Sequence, residues 1–176
     1  MRNGSKARLV NGIISALVVV FFVAHSLLGG LEALVPLASP PALVMWTGIG
    51  IVGIHIVASI ITSREQLTDA EFPPSQRKKR HLALKWVTGG ILLAIIAAHV
   101  VCIRTFGPDA VQASVTSTLI ALTLVAALTV HIWVGAKSLI TDLSLDKGLI
   151  KPFRIIVCTL AIAIGCIIIA GIVWWR

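Results

Sequence analysis

The sequence predicts an all-α integral membrane protein with five transmembrane helices in a single membrane domain. Of its 176 residues, 57% are hydrophobic and only 12% are charged, and the mean hydropathy is +1.00. Soluble proteins average roughly half apolar and about a quarter charged residues, so lipid must solvate most of this chain. Five apolar runs are each long enough to cross a bilayer, which takes about 20 residues.

Each apolar run is expected to be a helix, because in lipid a helix satisfies its own backbone polar groups. Turn-forming residues separate the runs, such as Gly29–Gly30 after the first and Pro73–Pro74 in the longest connection. Pro152 opens the fifth run, near the first helical turn, where proline is tolerated. The predicted helices cover approximately residues 9–28, 42–62, 82–103, 115–136 and 153–174.

Lysine and arginine cluster on alternate connections, which predicts the orientation of the helices. The basic side carries Arg2, Lys6, Arg8, Arg64, Arg77–Arg80, Lys137, Lys147, Lys151 and Arg154. The opposite side has only Arg104 and Arg176. The positive-inside rule therefore predicts a multi-pass protein of the cell's inner membrane, with a cytoplasmic N-terminus and an external C-terminus. At these positions the basic residues that give the net charge of +8 meet the anionic head groups of membrane lipid. No nucleic-acid partner is therefore expected.

Four of the five predicted helices carry one histidine each, and these histidines match in depth as two pairs. At 1.5 Å per residue, His25 and His99 lie roughly 20–28 Å from the cytoplasmic charges. By the same measure, His55 and His131 lie roughly 9–14 Å from those charges. The two levels therefore differ by about 10–15 Å. Polar side chains inside membrane helices are costly, so this pattern calls for a function.

Two level pairs of neutral imidazoles are typical of bis-histidine heme ligation inside a helical bundle. We therefore expect a bundle that holds two b-type hemes, an outer one on His25 and His99 and an inner one on His55 and His131. The three cysteines have no CxxC or CxxCH spacing, so neither a zinc site nor covalently attached heme is expected.

Small residues share helix faces with the histidines. Gly29, Gly48, Ser59 and Gly135 each lie four or seven positions from the histidine of their own helix. Small side chains there would let a porphyrin approach the backbone, although small residues also favour plain packing between membrane helices.

The segment Arg80–Gly90, followed by His99, looks like the entry to the third ligand helix of a known family. With one histidine on each of four helices and none on the fifth, the chain resembles the diheme cytochrome b membrane anchor of succinate:quinone oxidoreductases. This class includes the succinate dehydrogenases and fumarate reductases with a single five-helix anchor. The resemblance covers residues 9–174, although the chain is short for the family and lacks tyrosine.

The resemblance implies an electron-transfer subunit with no succinate chemistry of its own. A flavoprotein subunit would interconvert succinate and fumarate in the cytoplasm, and an iron–sulfur subunit would pass electrons to the inner heme. The outer heme would exchange electrons with a quinone, expected to be menaquinone.

Polar side chains near the helix ends are candidates for further roles, and each also fits a plain helix-end or loop position. The candidate partners of heme propionates are Lys85, Trp86, Lys137 and Ser138 for the inner heme and Arg104 for the outer heme. Glu32 follows His25 by seven residues and is a candidate for proton transfer at the quinone site.

Two other classes of protein stay open on the sequence alone. Cytochrome b subunits of membrane hydrogenases and formate dehydrogenases also hold two hemes, but often with two ligands on one helix. A heme-free small transporter or assembly protein would instead use the histidines in hydrogen bonds between helices. Zinc or copper transport sites usually recruit carboxylates or cysteines, and the five apolar runs contain no Asp or Glu.

Overall fold

The chain folds into five long helices joined by short connections. The computed structural model describes residues 3–32, 42–68, 74–106 and 115–174. The helices are α1 (Asn3–Glu32), α2 (Ala42–Leu67), α3 (Gln76–Phe106), α4 (Val115–Asp142) and α5 (Ile150–Trp174). Each contains a span long and apolar enough to cross a membrane. The prediction of an all-helical, multi-pass membrane protein is therefore confirmed.

The helices continue beyond the apolar runs that predicted them. The third helix begins at Gln76 instead of Leu82, and the fourth ends at Asp142 instead of Ala136. Glutamine, arginine and lysine are good helix formers, so a helix can extend past the apolar core into the polar interface. Ser75 caps the start of α3, where its Oγ accepts a hydrogen bond from the backbone N–H of Lys78 at 3.3 Å.

The connection between α4 and α5 is a tight, fully hydrogen-bonded turn. The N–H of Leu145 donates to the carbonyl of Ile140, and Ser144 takes a left-handed conformation with φ of 57°. This is the Schellman arrangement that satisfies free carbonyls at a helix end. A 3₁₀ turn, Lys147–Leu149, follows, and Asp146 caps it by accepting from the N–H of Gly148 at 2.9 Å. The α5 helix therefore begins in a fixed position beside the end of α4.

The helices are arranged around α1 and α4. Helix α1 packs against α2, α4 and α5, while α5 also packs against α4 and α3 packs along α4. Among the described residues, α3 makes no comparable contact with α1 or α2. The core lies between α1, α4 and α5, where Ala136 is fully buried and Phe22 and Ile164 are nearly so. A small apolar cavity of about 110 Å³ lies among these three helices.

One end of the bundle collects the positive charge. Every lysine and arginine that the structure describes, except Arg104, lies where α1, α3 and α5 begin or where α2 and α4 end. Hydrogen bonds join these helix ends, because Asn11 of α1 contacts both Asp142 of α4 and Ser59 of α2. We call this end the basic end.

A glycine permits the close approach of α1 to α4 at the basic end, and this contact can be tested. A Cβ added at Gly12 would lie 3.2 Å from the backbone carbonyl carbon of Asp142 and 3.1 Å from Leu143 Cδ2. Gly12→Leu should therefore separate the two helices and lower the free energy of unfolding by about 1–3 kcal/mol. Thermal unfolding in detergent, followed by tryptophan fluorescence, measures the effect.

Gly53→Leu is the matched control. It adds the same side chain on α2, where no described atom lies within 4 Å of the added Cβ. Equal melting temperatures for the two variants would contradict the close α1–α4 contact.

Candidate functional site

The fold brings the four membrane histidines together as two pairs from different helices. His55 of α2 and His131 of α4 lie close enough for their charges to interact. His25 of α1 and His99 of α3 are also this close. In neither pair do the two helices pack directly against each other. Each pair therefore faces across the interior of the bundle, and these are the same pairs that depth along the helices predicts.

His55 is oriented by a serine of the neighbouring helix. Ser15 Oγ lies 3.3 Å from His55 Nδ1 and donates its own proton to the carbonyl of Asn11 at 2.7 Å. A hydroxyl carries one proton, so Ser15 can only accept a hydrogen bond from the imidazole. This network assigns the proton of His55 to Nδ1 and leaves the lone pair on Nε2.

His131 is oriented in the same way by a threonine of α3. Thr88 Oγ1 lies 3.0 Å from His131 Nδ1. The Thr88 proton is already shared between the carbonyls of Leu84 at 2.9 Å and Lys85 at 3.1 Å. The imidazole of His131 must therefore donate from Nδ1, and its Nε2 also keeps a lone pair.

This arrangement is the one that a metal-binding histidine requires. A ligating imidazole is neutral, binds metal through one nitrogen, and usually donates the other N–H to a fixed acceptor. Ser15 and Thr88 are such acceptors for the inner pair. Sequence reasoning missed both residues, because their signal is a hydroxyl on the neighbouring helix and not a motif within one helix.

The outer pair lies about three helical turns further along the bundle. His25 follows Ser15 by ten residues on α1, and His99 follows Thr88 by eleven residues on α3. At 1.5 Å per residue, the outer level is about 15–17 Å from the contacts of the inner pair. This distance between the two histidine levels is slightly larger than the range of about 10–15 Å expected from the sequence.

At the outer level, an aromatic ring packs in place of the open glycine surface that the sequence suggested. The Phe21 ring lies parallel to the His25 ring, with centroids 5.9 Å apart and an interplanar angle of 5°. The same phenyl ring fills the space at Gly48, where an added Cβ would lie 2.6 Å from it. The interpretation of Gly48 as a surface for porphyrin is therefore wrong, because Phe21 already covers it.

A different glycine makes the close approach at the inner level. The His131 ring lies against Gly89, 3.2 Å from the position of an added Cβ. Of the other small residues, Ser59 bonds to Asn11, and Gly135 has no described atom within 4 Å of an added Cβ. Gly29 has surroundings that lie outside the described part of the chain.

A buried polar cluster lies between the inner pair and the basic end. Asn11 and Asp142 are only 5% and 8% exposed, and Asn11 Nδ2 donates to Asp142 Oδ2 at 3.4 Å. Lys85 Nζ donates to Ser138 Oγ at 3.1 Å. The charge of Lys85 acts on Asp142 and also on both inner histidines. Lys85 and Ser138, two of the candidate propionate partners, therefore lie together in the half-buried interior.

The other candidate residues lie away from this cluster. Trp86 and Lys137 are exposed on the outer surface. Arg104 lies at the opposite end of the bundle with its guanidinium 6.0 Å from the ring centroid of Trp46. Glu32 is the last residue of α1, and its side chain lies outside the described part of the chain.

Within the described residues, no three His, Cys, Asp or Glu side chains come together as a ligand set for a metal ion. The candidate site therefore consists of paired histidines. Comparison of the chain with protein-family models, with curated proteins and with solved structures gives no match.

The assigned tautomers can be tested without any cofactor. In protein prepared free of iron and porphyrin and labelled with ¹⁵N-histidine, NMR should show protonated Nδ1 and unprotonated Nε2 for His55 and His131. Thr88→Val keeps the shape but removes the acceptor, so His131 should shift toward the Nε2–H tautomer. Ser15→Ala should do the same for His55.

The matched control is Thr123→Val. Its hydroxyl bonds only to the carbonyl of Leu119 on its own helix, so both histidine signals should keep their wild-type shifts. A His131 signal that is identical in wild type and Thr88→Val would refute the assignment.

Proposed function

We propose that this chain is a diheme cytochrome b, a membrane subunit that carries electrons between a cytoplasmic iron–sulfur protein and quinone. The observation that supports it most is the inner pair. His55 and His131 come from helices that do not pack directly against each other, and each is hydrogen-bonded so that Nδ1 carries the proton and Nε2 is available. Histidines that served only to hydrogen-bond neighbouring helices would not need to share the same tautomer and to face each other across the bundle interior.

The inner heme would be held by His55 and His131 through Nε2. Ser15 and Thr88 fix the two imidazole planes, and by accepting the Nδ1 proton they make Nε2 a stronger donor to iron. Gly89 lets the His131 ring lie close to the backbone of α3. These residues set the ligand geometry before any heme binds.

The outer heme would be held by His25 and His99. Phe21 restricts rotation of the His25 ring by stacking on it and keeps that side of the ring in an apolar setting. When bound, each heme supplies an iron that accepts and releases one electron at a time. Reduction of quinone to quinol consumes two such electrons, which the iron–sulfur subunit supplies, and two protons, which are taken up from water.

Charged residues complete the proposed site. Lys85 and Ser138 are the proposed partners of the inner heme propionates, and a buried cation with a hydroxyl suits a carboxylate. Arg104 is the proposed partner on the outer side, and Glu32 the proposed proton carrier for quinone. Trp86 and Lys137 face outward, so we propose them as anchors at the membrane interface.

The proposed complex is of the succinate dehydrogenase or fumarate reductase class, with flavoprotein and iron–sulfur subunits docked at the basic end. One histidine on each of four helices, with none on the fifth, supports this class over the hydrogenase and formate dehydrogenase type. By the positive-inside rule, the proposed position of the basic end is the cytoplasmic side of the inner membrane, with the N-terminus in the cytoplasm and the C-terminus outside. The proposed quinone is menaquinone.

Heme content tests the cofactor proposal. A dithionite-reduced minus oxidised spectrum, with pyridine hemochrome quantification, should give two b-type hemes per wild-type chain. His55→Ala and His131→Ala should each leave about one heme, because one of the two histidines that would hold the inner heme is lost. His25→Ala and His99→Ala should each leave about one heme, which in these variants is the inner one.

The control is His81→Ala, which removes a histidine near the basic end and should keep both hemes. A colourless wild-type protein from cells with ample heme would overturn the cytochrome proposal. Two hemes in both inner-ligand variants would overturn the ligand assignment.

Electron flow in membranes tests the partner class. His55→Ala should stop succinate-dependent quinone reduction, while succinate oxidation by a water-soluble electron acceptor continues. His81→Ala should leave both activities at wild-type levels. The succinate class would be wrong if the co-purified soluble subunits oxidised hydrogen or formate and did not act on succinate. The chain would then belong to the hydrogenase or formate dehydrogenase type.

A further inference from the structure

An open groove of about 440 Å³ lies at the basic end, on the outer surface where α4 ends and α5 begins. It belongs to neither histidine pair. Three cationic side chains line it, those of Lys147, Lys151 and Arg154, together with Trp133 and Ile155. The tight turn between α4 and α5 fixes the relative positions of these residues.

The guanidinium of Arg154 is held in place by hydrogen bonds that use only some of its N–H donors. Its Nε and Nη2 donate to the backbone carbonyl of Trp133 at 3.2 and 3.0 Å, and its guanidinium lies 4.9 Å from the centroid of the Trp133 ring. A guanidinium has five N–H groups, so Nη1 keeps donors for another ligand. An ordered guanidinium with spare donors suits a phosphate oxygen.

The charge of the groove favours an anion. Lys147 and Lys151 are exposed beside Arg154, and the nearest carboxylate in sequence is Asp146. Asp146 already accepts the hydrogen bond from the N–H of Gly148. Three cations against one occupied carboxylate leave an excess of positive charge.

The groove continues into an apolar surface on the side toward the membrane core. Trp133 and Ile155 are 44% and 56% exposed, and Ile162 is 68% exposed two turns further along α5. Tryptophan at such a position is common at the level of lipid head groups. A cationic rim above an apolar surface matches a molecule with an anionic head and a hydrocarbon tail.

We propose that this groove is a binding site for an anionic phospholipid. The phosphate lies against Lys147, Lys151 and Arg154, and an acyl chain lies along Ile155 and Ile162. A free phosphate ion would make no use of the apolar surface, and a soluble protein would reach only the cationic rim. The site does not depend on the heme proposal, because none of these residues takes part in it.

Native mass spectrometry of the delipidated full-length chain tests the site. Phosphatidylglycerol and phosphatidylcholine with identical acyl chains are offered in competition, since both carry phosphate but only the first is anionic overall. The wild-type chain should retain phosphatidylglycerol preferentially. Lys147→Gln/Lys151→Gln should reduce this preference by about tenfold, because cations near the membrane surface attract anionic lipid.

Lys78→Gln/Lys79→Gln is the matched control. It removes the same charge by the same substitution at the same end of the bundle, also from exposed positions, and should keep the preference. Gel filtration and thermal unfolding check that both double variants remain folded.

Three results would overturn the lipid site. An equal loss in both double variants would mean attraction by the overall charge only. Displacement of the lipid by millimolar inorganic phosphate would indicate a simple ion site. An unchanged lipid preference in Lys147→Gln/Lys151→Gln would show that this groove does not bind the lipid head group.

Discussion

The structure depends on one constraint, that lipid offers no hydrogen bonds to a polar group inside the membrane. Ser15 and Thr88 meet it by donating to carbonyls of their own helices. Each hydroxyl then has only lone pairs left, and the neighbouring imidazole must supply the proton. Two ordinary hydrogen bonds from a side chain to the backbone of its own helix thereby decide the tautomers of His55 and His131. The chemistry of the inner pair follows from how membrane helices satisfy their polar groups.

The same constraint explains why the packing is uneven. Close helix contacts lie where apolar or small residues meet, as at Ala136 and Gly12, and the densest core forms between α1, α4 and α5. Helix α5 carries no histidine and supports α1 and α4 from outside. The helix faces that carry imidazoles are kept apart across the bundle interior.

The sequence could predict the features that depend on one helix at a time. Hydropathy gives five helices, and the rise per residue gives the depth pairing of His25 with His99 and of His55 with His131. It could not predict which way each helix faces, because helices that are apolar all round carry no rotational signal. The contacts of Thr88 with His131, of Phe21 with Gly48 and of Asn11 with Asp142 all depend on that rotation. The helix ends were also underestimated, because polar helix formers continue α3 and α4 past the apolar runs. The heme ligands and the partner class stay predictions.

The polar cluster at the basic end gives the two levels different electrostatic settings. Lys85 acts on His55 and His131 from within the half-buried interior, where charges are poorly screened. Asp142 and Asn11 lie closer to the basic end than the inner histidines do. The Asp142 carboxylate offsets part of the positive charge of Lys85. At the outer level, the ring of Phe21 that lies beside His25 is uncharged, and Arg104 is exposed at the bundle end. A nearby cation favours the form of a site that carries the extra electron. In the proposed diheme cytochrome, the balance between Lys85 and Asp142 would set how readily the inner site accepts an electron from the basic end.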